Sequence, residues 1–438
     1  MMLAALTPIP AQAQGRVAVV RDAEIEELLK DYAGPILKAA GLSRRGIEIV
    51  LVNDPSFNAF VSDRRIFINT GTILASETPN ETIGVIAHEA GHLAGGHQQR
   101  LREQLARAQT MAIVGSLIGA GAITAGSVAG SRSGAEAGGA LVSAVPSAVQ
   151  RMVLSYRRSE EMNADQAAGK YLKATKQSAQ GMLKTFKRFS SALALSGVQV
   201  NPYQLSHPLP QERIALLETL ASQSPYFGVG DSQSLMKRHQ LARAKIAAYM
   251  DGQPGVGRLF QRGDKSLAAR YGDAIATDLA GNSRASLEKM NALIKTNSRN
   301  AYFHEFRGEV LLKLGKANES VKSFAQAMKL SGGRDALIKA RYGFALLSTG
   351  KPADGQKAIE HLQAAVQADP GNLNAYVHLS QAFGLSGDIG NAELAMAEGH
   401  FRAGSSRDAK VFAARALTKL PKGSPAARRA DDILSVGK

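Results

Sequence analysis

The 438-residue chain has no cysteine and no tryptophan, and only 5% of its residues are aromatic. Without cysteine there is no disulfide, no Cys-based zinc site and no thiol nucleophile, so any metal must be held by His, Asp or Glu. The missing thiols do not by themselves fix a compartment. No Lys/Arg run with interleaved aromatics, zinc-finger spacing or RNA-binding-sheet signature is present, which argues against nucleic acid as a partner. A convincing membrane span is missing too. Residues 108–131 carry no charge, yet in 111–130 only seven of twenty residues are Ile, Leu, Val or Met while ten are Gly or Ala. Small residues at that density suit closely packed or mobile helices, so 110–150 reads as a Gly/Ala-rich flap or a membrane-touching hairpin.

At about 150 residues per domain, the length predicts two to three domains. A hydrophobic fraction of 45%, a charged fraction of 21% and a mean hydropathy of −0.12 are those of a soluble globular protein. Lys and Arg outnumber Asp and Glu 53 to 37, a net charge of +16. The excess is spread out, with 24 basic and 16 acidic residues in 266–438 and 29 and 21 before them. Such a surface suits work near an acidic membrane or envelope. The first residues, MMLAALTPIPAQAQ, join a short apolar stretch to Ala11-Gln12-Ala13, the small-x-small spacing of a signal-peptidase site. We read 1–13 as a signal-like leader and expect export.

The chemistry is concentrated in ETIGVIAHEAGHLAGGH (81–97). His88 and His92, at i and i+4, project from one helix face and can reach one metal ion, with Glu89 beside them as a general base. By composition, a chance HExxH is expected roughly once in a hundred such chains. A third ligand must come from elsewhere, and in SYRRSEEMNADQAAGKYL (155–172) Glu161 and Asp165 share a face of a predicted helix. Glu161 would complete a His₂Glu site, with Asp165 orienting a ligating imidazole. Glu160 is also a candidate ligand on chemistry alone, and an acidic patch paired with Arg157 and Arg158 is the bland alternative. His97 falls one residue short of the metzincin spacing and reads as a helix-end or surface residue. His207, in LSHPLPQERI (205–214), lies on a loop stiffened by Pro208 and Pro210 and cannot be promoted on spacing.

Together these residues resemble the M48 family of zinc metallopeptidases, in its soluble, exported branch that carries tetratricopeptide (TPR) repeats. The resemblance begins at VLVNDPSFNAFVSDRRIFINTGTIL (50–74), with Asn58-Ala59-Phe60 and the Asn69-Thr70-Gly71 turn. It implies that His88 and His92 bind one zinc ion per chain, that Glu89 is the base, and that Glu161 of EMNAD (161–165), not Glu160, is the third ligand. It further implies that Asp165 supports the site, that His207 caps the metal at rest, and that Asn58 and Arg213 support site or substrate. Family members of this branch degrade or help assemble outer-membrane proteins. The implied substrates are therefore unfolded or misassembled envelope proteins, with the outer-membrane assembly machinery as a partner, peripheral membrane contact and a periplasmic location. We expect IFIN (66–69) to be the strand beside the metal on which a substrate pairs.

Downstream, like positions recur near the 34-residue TPR period. Gly308, Gly315, Phe324 and Ala327 form one set; Gly343, Gly350, Leu362, Ala365 and Pro370 repeat it with three residues inserted. Tyr376, Leu379, Phe383, Gly387 and Ala392 give a third copy. Residues 271–295 read as a degenerate first repeat, and Ala413, Ala416 and Pro421 as a last half-repeat. The expected fold is an α+β zincin-type metalloprotease domain (14–250), mostly helical with a small sheet, a Gly-rich linker (251–265) and an all-α TPR solenoid (266–438). Two rivals are a TPR chaperone or adaptor with a structural metal site and a membrane-integral M48 protease.

Overall fold

The computed structural model describes residues 18–42, 46–128, 154–196, 207, 211–261 and 263–436. The leader, residues 129–153 of the Gly/Ala-rich stretch, Pro208 and Pro210 lie outside the described residues. Two compact units are present: Met1–Val20 with Glu26–His239, and Arg21–Ile25 with Gln240–Lys438.

The first unit sets a four-stranded sheet beside helices. Its strands are β1 (Val19–Val20), β2 (Glu48–Val52), β3 (Ala59–Ser62) and β4 (Arg65–Asn69), in the order β1-β2-β4-β3. β2 and β4 are parallel, while β1 pairs antiparallel with β2 and β3 with β4. IFIN therefore lies in β4, inside the sheet and paired on both sides, and β3 holds the edge. The burial patterns give the reason: four consecutive residues of β4 are buried, whereas β3 alternates between buried and half-buried residues.

Helix α1 (Ala23–Ala39) follows β1, and the short α2 (Thr70–Ala75) follows β4. Helix α3 (Pro79–Gly95) is buried throughout Pro79–His92. Pro79 suits its first turn, where a missing N–H costs nothing. An apolar helix buried on every side belongs at the centre of a domain, and the metal motif is set in its last two turns. Glu81, fully buried in the first turn, is paired by Arg188 (2.6 Å) and Lys184 (3.2 Å). Helix α4 (His97–Val128) follows after Gly96, whose φ of 65° closes α3. A fifth helix, α5, covers 154–174, followed by α6 (Gln180–Ser196), α7 (Gln211–Ser222) and α8 (Gln233–Phe260). The stretch read as a linker thus holds helix to Phe260, kinked at Gly252. No described helix is long and apolar enough to cross a membrane.

From Gln240 onward the second unit is all helical among the described residues, a series of antiparallel hairpins. They are Leu267–Leu279 with Ser283–Thr296, Ala301–Lys313 with Ala317–Leu330, Ala336–Leu347 with Pro352–Ala368, Leu373–Leu385 with Ile389–Arg402, and Ser406–Leu417 with Pro425–Ser435. The three-residue insertion is absorbed in Pro352–Ala368, which has 17 residues where its counterparts have 14. Equivalent small residues let the paired helices close: a Cβ at Gly308 would meet the Phe324 ring, and one at Gly343 would meet Leu362. This unit also contains a buried charge cluster in which Lys245 Nζ lies 2.7 Å from Asp22 and 3.4 Å from Glu24. Tyr271 donates a hydrogen bond to Glu24 (3.0 Å).

Candidate metal centre

The local sequence explains why α3 and α5 meet at their chemical residues. In HEAGH, Gly91 faces α5 so closely that a Cβ there would lie 2.9 Å from the Ala164 carbonyl oxygen. Ala164 and Ala168 are fully buried, so small residues on both sides bring the two helices together. On α5, Glu161 and Asp165 then point toward the α3 histidines.

Four side chains converge: His88, His92, Glu161 and His207, all buried, each offering an atom within 4.8 Å of the others. His88 Nε2 lies 3.0 Å from His92 Nε2 and 3.2 Å from His207 Nδ1. Glu161 lies 3.0 Å from His207, 3.3 Å from His88 and 3.3 Å from His92. Zinc–ligand bonds of about 2.0–2.2 Å place tetrahedral ligands about 3.4 Å apart, so these separations suit one small cation.

The partners on the far side of each ring agree. Nδ1 of His88 faces Asp165 Oδ1 at 2.9 Å, so a proton there leaves the Nε2 lone pair directed at the cluster. Asp165 is in turn gripped by Arg213, Nε to Oδ2 at 2.7 Å and Nη2 to Oδ1 at 2.9 Å. A third nitrogen of the same guanidinium, Nη1, pairs with Glu161 at 3.0 Å. Arg213 is completely buried, its charge shared between the two carboxylates and lying over the Phe186 ring. His88 Nε2 and His92 Nε2 lie 3.0 Å apart, and a cation between them would take the place of the proton they share.

Charge balance points the same way. Burial would push the Glu161 carboxyl up, but His207, His88 and His92 around it hold it far below the usual carboxylate range. Burial opposes a charge on His88, yet Asp165 and Glu161 outweigh it and raise its pKa to about 10. Burial dominates at His92 and lowers its pKa. A metal ion would supply the positive charge these acids attract.

Glu89 is fully buried, and neither of its carboxylate oxygens has a hydrogen-bond partner among the described residues. His207 Nε2, at 3.5 Å, is its recorded ion-pair partner. A buried carboxylate without a hydrogen bond, beside a cation-binding cluster, fits a group that waits for water. Asn58 heads β3, where its backbone exchanges two hydrogen bonds with the Thr72 hydroxyl. His97, read as a helix-end or surface residue, stands at the start of α4 but is buried: its Nδ1 lies 2.9 Å from His92 Nδ1 and its Nε2 2.6 Å from Glu160. Burial, with His92 nearby, pushes the His97 pKa down to about 4. Glu160 faces His97 and Arg100, outside the cluster formed by its neighbour Glu161.

A buried HExxH helix whose histidines meet a glutamate from a second helix defines a zincin-type metallopeptidase. Residues 20–221 match the model of peptidase family M48. It is 21% identical over 421 residues to the beta-barrel assembly-enhancing protease of Escherichia coli K12, covering 94% of this chain and 83% of that one. To the putative beta-barrel assembly-enhancing protease of Vibrio cholerae it is 25% identical over 377 residues, covering 83% and 74%. Among solved structures it is similar to YrrB, a TPR protein with an unusual peptide-binding site, at 15% identity and a TM-score of 0.30, covering 52% of this chain and 99% of that one.

Proposed function

We propose that the chain is a zinc-dependent endopeptidase that hydrolyses peptide bonds of unfolded or misassembled envelope proteins. The observation that carries the reading is the buried Glu89 carboxylate, without a hydrogen-bond partner among the described residues, beside the His88, His92, Glu161 and His207 cluster. His88, His92 and Glu161 would hold the zinc, with Asp165 and Arg213 fixing His88 and Glu161. When bound, zinc supplies Lewis-acid activation of water and of the scissile carbonyl. Glu89 takes the proton of the water that adds to the carbonyl carbon. It then passes that proton to the amide nitrogen as the C–N bond breaks, leaving a carboxylic acid and an amine. The edge strand β3 is the one on which an extended substrate would pair, displacing the Gln98 side chain from the Val61 carbonyl.

His207 completes a four-residue set, and we assign it to a resting state in which its imidazole occupies the position that water needs. Four protein ligands also describe a closed structural site, which is the observation favouring a TPR adaptor as the second reading. A structural site, however, gives a buried Glu89 carboxylate without a hydrogen bond nothing to do. In the second unit, a groove lined by Tyr376, Phe383, Phe401, Arg402 and Arg429 is assigned to substrate or partner docking. The names of the relatives support a place in outer-membrane protein assembly, and with it a periplasmic location and peripheral membrane contact. The reading is tested by zinc content and unfolded-casein cleavage of the full chain before and after chelation. Loss of cleavage with the metal and recovery on adding one zinc per chain supports it; cleavage that survives metal removal overturns it.

A further inference from the structure

The two histidines of α3 are braced differently on the sides that face away from the cluster. His88 meets a carboxylate directly, Asp165 at 2.9 Å. His92 meets another imidazole, with its Nδ1 2.9 Å from Nδ1 of His97. His97 Nε2 lies 2.6 Å from Glu160, which Arg100 holds at 2.7 Å. Only one protonation pattern satisfies this chain with His92 Nε2 free to bind a cation. His92 must donate from Nδ1, His97 must accept at Nδ1, and His97 must donate from Nε2 to the Glu160 carboxylate.

The backbone is built around this arrangement. Gly96 adopts a left-handed conformation and breaks the helix between α3 and α4, and the His97 ring lies against Gly95. A Cβ at Gly95 would lie 2.1 Å from His97 Nε2 and 2.4 Å from its Cδ2, so no other residue leaves the ring where it is. Gly95 itself is not in the left-handed region, and by helix propensity alone alanine would serve better there.

We propose that His97, held by Glu160 and seated over Gly95, is a positioning residue for His92, fixing that ring with its Nδ1 proton outward and its Nε2 lone pair toward the metal. The inference rests on the zinc-site reading above. Glu160 and Glu161 thereby serve the same site from opposite sides, one through His92 and one directly.

The test is zinc affinity of the full chain by chelator competition, with the melting temperature of the metal-free protein as a check on folding. His97→Phe keeps a ring of similar size and removes both nitrogens; its zinc affinity is expected to fall about 10- to 100-fold. Gly95→Ala, which alters no hydrogen-bonding group, is expected to weaken zinc binding in the same direction by displacing the His97 ring. In a His97→Ala background that effect is expected to vanish, because there is no ring to displace. Wild-type affinity in both His97→Phe and Gly95→Ala would overturn the inference and leave the metal site standing. An undiminished Gly95→Ala effect in the His97→Ala background would also overturn it. A wild-type chain that binds no zinc would overturn the site and the inference together.

Discussion

Arg213 grips Asp165 through two hydrogen bonds, 2.7 and 2.9 Å, with both side chains completely buried. Because Arg213 also pairs with Glu161, its removal leaves two carboxylates buried without their cation. Loss of one partner from a buried pair costs about 3–5 kcal/mol. Arg213→Leu is expected to lower stability by that order and to release zinc, as read by denaturant unfolding and metal content. Arg213→Lys is not expected to rescue it, because an ammonium lacks the planar fork that spans both acids.

Glu161→Ala is expected to abolish zinc binding and hydrolysis together. Glu160→Ala is expected to weaken zinc binding without abolishing it, since Glu160 acts through His97. Equal retention of zinc by the two variants, measured by metal analysis after dialysis, would contradict these assignments.

His207→Ala is expected to retain zinc and to cleave unfolded casein faster than wild type at matched zinc occupancy. A slower mutant would instead assign His207 to stabilising the transition state.

In the second unit, Lys245 is buried between Asp22 and Glu24. Burial opposes its charge, but Asp22, Tyr271 and Glu24 outweigh it and raise its pKa well above the usual lysine value. A raised folded-state pKa means the stabilisation is complete below the unfolded value of about 10.4 and is lost as the pH rises beyond it. Lys245→Met is expected to cost about 3 kcal/mol at pH 7. The difference from wild type should shrink in strongly alkaline solution, as followed by urea unfolding at both pH values.

The fold class was legible because its signals are local. The TPR glycines recur near the 34-residue period, and in the structure Gly281, Gly315, Gly350 and Gly387 each end the first helix of a hairpin with positive φ. At the site, the i, i+4 spacing of His88 and His92 places both on one helix face. What spacing could not decide was the choice between Glu160 and Glu161: neighbours on a helix point about 100° apart, so the choice rested on the resemblance of EMNAD (161–165), and it is Glu161 that packing of α5 on α3 turns to the cluster. His207 reaches the cluster from 46 residues beyond Glu161, a closure that no local pattern announces. The signal for His97 in the sequence is the Gly95-Gly96 pair, which breaks the helix and makes room for the ring. The interior position of β4 was equally readable from its unbroken apolar run.

The most direct measurement is zinc content and unfolded-casein cleavage for wild type beside Glu89→Gln. The substitution leaves His88, His92, Glu161 and His207 intact and removes only the base. Both proteins are expected to hold one zinc per chain, with cleavage by Glu89→Gln reduced about 100- to 10,000-fold. Cleavage by Glu89→Gln at the wild-type rate would contradict the account.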